Sequence, residues 1–151
     1  MTGKIFVVSG PSGVGKTSLV QEVLRQWQGP EILKRSVTYT TRPPRENEVN
    51  GKDYYFVTQD LFATKEEEGF FLETNQYCGY FYGSPKDIIE TSLSTGVSFV
   101  VILDQEGARV LSHIPHVILI WIVPPNMQAL ENRLKRRDGE KNCRYPNRRS
   151  E

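Results

Sequence analysis

Ile5-Phe-Val-Val-Ser-Gly10-Pro-Ser-Gly-Val-Gly15-Lys16-Thr17-Ser18-Leu-Val20 is the stretch on which the fold turns. Its first residues are apolar up to Ser9 and read as a buried strand, and they run straight into the pattern G-x-x-x-x-G-K-[ST] at Gly10 to Thr17. Leu19, Val20, Val23, Leu24 and Trp27 then recur at helical spacing until Gly29-Pro30 stops the helix. Strand, glycine loop and helix in that order make a phosphate cradle. The glycines let the backbone curl so that successive N–H groups face phosphate oxygens, and the helix N-terminus adds the positive end of its dipole. Gly10, Ser12, Gly13, Val14, Gly15, Lys16, Thr17 and Ser18 are therefore the expected triphosphate-binding residues. Lys16 should reach the β- and γ-phosphates, and the Thr17 hydroxyl should ligate Mg²⁺.

Further strands are expected at Ser98 to Leu103 and Val117 to Val123, both rich in β-branched residues. Their alternation with amphipathic stretches predicts an α/β fold: a P-loop NTPase-type parallel sheet with helices on both faces. Trp27 and Trp121 fall at core or core-edge positions by this periodicity. Asp104 follows the strand expected at Ser98 to Leu103 and so lies where open α/β sheets bind ligands. An acid there either holds a metal-bound water or a substrate donor, or caps the helix expected over Gln105 to Ser112, and one residue can do both. Between residues 36 and 84 the texture changes to Pro43-Pro44, Asn50-Gly51 and six of the seven tyrosines. This is expected to be an insertion carrying binding groups, set into a core of residues 1–35 and 85–132.

Composition excludes several classes. The chain has 151 residues and a net charge of +1, too balanced to coat nucleic acid or an anionic membrane by bulk charge. Its longest apolar runs are far shorter than the roughly 18 residues that span a bilayer, and the N-terminus lacks the form of a secretory signal, so a cytoplasmic location is expected. Leu, Ile, Val and Phe supply 41 residues, enough for a packed core. Cys78 and Cys143 are far apart with no metal-type spacing, and are expected to be incidental thiols. His113 and His116 flank Pro115 in an expected surface turn. The neutrality is local in origin: residues 133–149 hold eight Lys and Arg against Asp138 and Glu140, a charge of +6, which leaves −5 for the rest.

The run Ser36-Val-Thr-Tyr-Thr-Thr41-Arg42-Pro-Pro-Arg45-Glu-Asn-Glu48, then Asn50-Gly-Lys-Asp-Tyr54-Tyr-Phe-Val57, Phe71-Leu-Glu73 and Tyr80-Phe-Tyr82-Gly83-Ser84, resembles the monophosphate-binding region of guanylate kinases. With the phosphate loop before it and Leu103-Asp104-Gln-Glu-Gly107 and Pro124-Pro125 after it, the resemblance covers residues 4 to about 138. It implies ATP-dependent phosphorylation of GMP, with Thr38, Arg42, Arg45, Glu48, Tyr54, Glu73, Tyr82, Ser84 and Asp104 binding GMP. It also implies Mg²⁺ at Thr17 and Asp104, and Lys16, Arg133, Arg137 and Arg148 as the catalytic cations, with Arg149 the other candidate for the last place.

The residue chemistry agrees. Arg42 and Arg45 present guanidinium forks to a phosphate, and Tyr54 and Tyr82 can add hydroxyl donors. Guanine offers a ring N–H beside an exocyclic amine, two adjacent donors that the Glu73 carboxylate can accept together, while the Thr38 hydroxyl can donate to the 6-oxo group. Arg133 and Arg137 are four apart on a helix expected to start near Asn126, so they share one face. Residues 133–151 are expected to form a partial, mobile lid.

The chain departs from the family pattern at three points. Ile102 stands where an Asp is usual, Thr38 where a Ser is usual, and Glu46-Asn47 where a Gly precedes the Glu, so the turn geometry there is expected to differ. After the lid arginines the family continues through further elements, whereas this sequence stops at Glu151. The expectation is a shortened form with an exposed sheet edge, which would favour association with a partner or a second copy. Two other readings share parts of the pattern: a kinase of a phosphorylated sugar such as ribose bisphosphate, and a non-catalytic guanylate-kinase-like interaction module.

Overall fold

The structure is a computed structural model that describes residues 2–138, with side chains as far as Lys135. The elements follow in the order β1 (Ile5–Ser9), α1 (Lys16–Gln26), β2 (Leu33–Arg35), β3 (Tyr39–Thr40), β4 (Tyr55–Phe56), α2 (Gln59–Glu67), β5 (Phe71–Tyr77), β6 (Tyr80–Pro85), α3 (Asp87–Thr95), β7 (Ser98–Ile102), α4 (Gln105–Leu111), β8 (Val117–Trp121) and α5 (Met127–Asp138). The expected α/β architecture is present, as two sheets.

The first sheet is wholly parallel in the order β2-β7-β1-β8. Because successive side chains on a strand point to opposite faces, Ile5 and Val7 join Val101 and Leu103 on one side with Ile88, Ala108 and Leu111 of α3 and α4. Val8 and Val100 join Val20 of α1 on the other. Val7, Val101 and Leu111 are fully buried, each contributing about 1.5–3 kcal/mol relative to exposure. Ile102, in the place of the family's Asp, packs at the edge of the second cluster.

Strand β8 is the outer strand of this sheet among the described residues, and Ile118, Leu119, Ile120 and Trp121 are 39–52% exposed. Trp121, expected from periodicity at a core or core-edge position, is therefore exposed instead. Trp27 is also 43% exposed. Helix α1 ends at Gln26, and Trp27 leaves it with φ −61 and ψ 120, so its ring folds over Gly29 and its indole N–H donates to the Glu31 carbonyl. His113 and His116 lie exposed between α4 and β8. Cys78 is disulfide-bonded rather than a free thiol, a correction to the sequence expectation; it sits exposed at the β5–β6 turn, and Cys143 lies outside the described residues. No helix among the described residues is long and apolar enough to cross a membrane.

The second sheet runs β4-β3-β6-β5 and is built entirely from residues between Tyr39 and Pro85. Phe62 of α2 stacks on Phe71 at 4.6 Å and packs near Phe81, while Tyr39 lies beside Tyr55, Phe70 and Phe71. This aromatic layer anchors one face of the sheet and leaves the other for polar groups. Arg35, the last residue of β2, donates to the Asp53 carbonyl at 2.9 Å and so ties the first sheet to the loop before β4.

Candidate functional site

The phosphate loop lies where β1 ends in the middle of the parallel sheet. Gly10 and Gly13 have φ 145 and 79, a region favouring glycine, and both are also crowded. A Cβ on Gly10 would come within 2.4 Å of the Ile122 carbonyl oxygen, and one on Gly13 within 2.9 Å of Leu134. Gly15 caps α1 in the left-handed conformation with no side-chain bond to the first N–H groups, and the first turn of the helix carries no acidic residue. The Lys16 ammonium donates to the carbonyls of Gly10 (2.7 Å) and Pro11 (2.9 Å), which holds it at the mouth of the loop. Thr17, second in α1, is part-buried and Ser18 is exposed.

Helix α5 docks on this loop. Its N-terminus is capped by Asn126, whose side chain accepts from the Ala129 N–H at 2.8 Å. Leu130 is buried, Leu134 lies against Gly13, and Arg133 donates to the Val14 carbonyl at 3.1 Å. The expected cation Arg133 therefore stands beside the phosphate loop. Arg137 is in the same helix, but its side chain lies outside the described residues, as do Arg148 and Arg149.

The acceptor-side residues come together through strand register. Directly opposed residues in a sheet share a face, and Glu73 opposes Ser84, Asn75 opposes Tyr82, Tyr82 opposes Thr40, and Thr40 opposes Phe56. Alternation then adds Thr38 and Tyr54 to that face. A register shift between Phe71 and Glu73 lets Phe71 pack in the aromatic layer while Glu73 turns to the polar face two residues later. Five of the nine expected acceptor-side residues thus occupy one surface, and Arg42 follows on from β3.

Arg42 is only 8% exposed. It donates twice to Glu48, at 2.9 Å each, and once to the Pro43 carbonyl at 2.8 Å, leaving two of its five N–H groups. Its guanidinium lies 5.4 Å from the Tyr54 ring centre and 5.7 Å from that of Phe56. Burial pulls the Arg42 pKa down, but the bonds to Glu48 more than offset it, and the net shift is upward. Glu48 is held below the usual carboxylate range, burial being outweighed by Arg42 and by the Arg45 backbone N–H, which donates at 2.7 Å. Glu48 thus orients the arginine, and Arg45 is exposed beside it. The turn that places them needs a left-handed residue, and Asn47 supplies it with φ 71. Asn tolerates that conformation better than most residues other than Gly. Tyr54 and Tyr82 meet edge to face at 6.2 Å, and burial raises the Tyr54 pKa, so the hydroxyl remains a donor at neutral pH.

At the other end of the face, Glu73 is 6% exposed and its Oε1 has no hydrogen-bond partner. Burial pushes its pKa up, the nearby Ser84 groups pull it down, and the charge of Asp104 pushes it up further. The Ser84 hydroxyl is itself fully buried without a bond of normal geometry. Glu73 Oε2 lies against the Gly107 backbone, where a Cβ would be only 3.0 Å away. Asp104 caps α4, its Oδ1 accepting from the Gly107 N–H at 2.9 Å, so the helix-cap role expected as one option is realised. Its Oδ2 accepts from Asn75 Nδ2 at 2.5 Å. Asn75 was missed from sequence, although its spacing of two from Glu73 on a strand was a usable signal.

The arrangement pairs a polyphosphate cradle with a sheet face offering a cationic, hydroxyl-rich end and a carboxylate end. A guanylate kinase family model matches residues 2–151. The guanylate kinase of Nitrosococcus oceani is 41% identical over 138 residues, covering 91% of this chain and 66% of that protein. The guanylate kinase of a Nostoc species is 39% identical, covering 91% and 68%. The crystal structure of guanylate kinase from Anaplasma phagocytophilum superposes with a TM-score of 0.73 at 34% identity, covering 87% of this chain and 66% of that one. The chain spans about two thirds of the length of these relatives.

Proposed function

The chain belongs to the guanylate kinase family, and from that premise we propose that it transfers the γ-phosphoryl group of ATP to GMP, giving ADP and GDP. The observation that carries the substrate assignment is Glu73: a carboxylate 6% exposed, with an unpartnered oxygen, on the same sheet face as Tyr54 and Tyr82. A buried acceptor of this kind demands donors, and guanine's ring N–H and exocyclic amine supply two in line. Adenine presents an acceptor at the matching ring nitrogen and would leave the carboxylate unsatisfied.

In this reading residues 36–84 hold GMP. Arg42 and Arg45 clamp its phosphate, Tyr54 and Tyr82 donate hydroxyl bonds to it, and Glu48 aligns Arg42. Thr38, Glu73, Ser84 and Asp104 line the base. The acceptor oxygen is already anionic, so no strong general base is needed, and catalysis is positioning plus neutralisation of charge. Lys16 neutralises the transferring phosphoryl group, and the lid cations Arg133, Arg137 and Arg148 close on it from residues 133–151. The Thr17 hydroxyl and Asp104 would hold Mg²⁺, which would supply further neutralisation of charge at the phosphates. The Thr17 hydroxyl fits it as a direct ligand at the loop. Both oxygens of Asp104 already accept hydrogen bonds, so Asp104 would act through a metal-bound water.

A coupled assay of ADP release tests the activity: turnover should be stimulated by GMP and not by AMP, and a chain that binds ATP yet shows no GMP-stimulated turnover would sink the proposal. Gly107→Ala is expected to raise the Kd for GMP about tenfold with ATP binding unchanged, because its Cβ displaces Glu73 Oε2. Titration calorimetry with each nucleotide reads this out, and an unchanged GMP affinity would remove Gly107 from the account.

A further inference from the structure

We infer that Asn75 is a positioning residue for base recognition, its carboxamide donating to Asp104 so that the two carboxylates at the base end of the site keep separate, fixed orientations. The inference rests on the GMP reading above. Asn75 lies in β5 and Asp104 at the N-terminus of α4, so the 2.5 Å bond ties the second sheet to the element that follows β7 of the first. The carboxylate of Asp104 can only accept, so the contacting Asn75 atom is the amide nitrogen.

The geometry explains why a donor is needed there. Glu73 and Asn75 are two apart on one strand and oppose Ser84 and Tyr82, which puts both on the face that α4 meets. Glu73 Oε2 packs on Gly107 while the Gly107 N–H donates to Asp104 Oδ1, so two carboxylates converge on one glycine. With its other oxygen unheld, Asp104 would be free to rotate toward Glu73 and to share a proton with it, and Glu73 would lose the ionised form that accepts from guanine. The Asn75 amide removes that freedom and takes up part of the Asp104 charge. Its backbone stays in the β5 ladder, so the side chain can be altered without unpairing the sheet.

Two substitutions separate donation from space-filling. Asn75→Ala removes the donor and the volume, whereas Asn75→Asp keeps the shape and replaces the donor with a like charge. Calorimetric titration of GMP should give a Kd raised about tenfold for Asn75→Ala and about a hundredfold for Asn75→Asp. ATP Kd should remain within about twofold in both, which also reports that each chain is folded. Combining Asn75→Asp with Asp104→Asn reverses donor and acceptor, and should recover the melting temperature that Asn75→Asp alone loses. GMP affinity unchanged in both single variants, or weaker in Asn75→Ala than in Asn75→Asp, or no recovery in the combined variant, would overturn the assignment while leaving the GMP reading intact. An unsubstituted chain that binds ATP but not GMP would overturn both.

Discussion

Lys16→Ala should lower GMP-dependent turnover by at least about a hundredfold, with a smaller rise in KM for ATP. The ammonium is the one charge in the loop placed to follow the phosphoryl group as it transfers, and removing such a contact costs about 3 kcal/mol or more of transition-state stabilisation. Its position in the free chain supports this: donation to the carbonyls of Gly10 and Pro11 parks it on the loop, a short swing from bound phosphates. The same bonds brace the loop, so some of the loss should appear as weaker ATP binding. Steady-state kinetics with both nucleotides varied decides the matter, and turnover within threefold of the parent would remove Lys16 from the chemistry.

Glu73→Gln should weaken GMP about a hundredfold while leaving ATP unaffected, since an amide offers one acceptor and an unwanted donor where two acceptors are required. The free protein should at the same time become more stable at neutral pH. The carboxylate is buried and its pKa is raised above 4.5, so the folded state binds its proton more tightly than the unfolded state. Stability from this group is therefore fully present below pH 4.5 and is lost as pH rises through the raised folded value. The neutral glutamine escapes that loss, and its melting temperature should exceed the parent's at pH 7 but not at pH 4. Binding has the opposite slope, because guanine selects the ionised form: GMP affinity should fall as the solution is acidified through the folded pKa, with ATP affinity flat. Equal losses for both nucleotides, or a melting temperature lowered at pH 7, would contradict the role given to Glu73.

Much of the site was legible residue by residue. The phosphate loop and its helix can be read directly because the motif is local: all its groups lie within eight residues, and the glycines needed for positive φ are visible as letters. Arg42, Tyr54, Glu73 and Tyr82 were legible as chemistry suited to a nucleotide. Their convergence depends on long-range register. The shift between Phe71 and Glu73 is one example, for without it both side chains would point to the same face and Phe71 would lose its place against Phe62. Glu48 is another. Its sequence position suggested a ligand contact, and only the folded turn, with Asn47 left-handed, shows it gripping Arg42. The two tryptophans fail for a related reason: periodicity reports which side of an element is apolar, but not whether a neighbour covers it.

The sequence by itself determined the α/β class, the phosphate loop and the residue types that can hold a phosphate and a base, because these follow from local periodicity, backbone freedom and side-chain chemistry. Tertiary structure alone decided which of those side chains meet: Asn75 on Asp104, Glu73 on Gly107, Glu48 on Arg42, and α5 on the loop. Apart from Glu48 and Arg42, which meet across one turn, these contacts join residues distant in the chain, and their geometry is set by strand register and helix packing, which no short window of sequence contains.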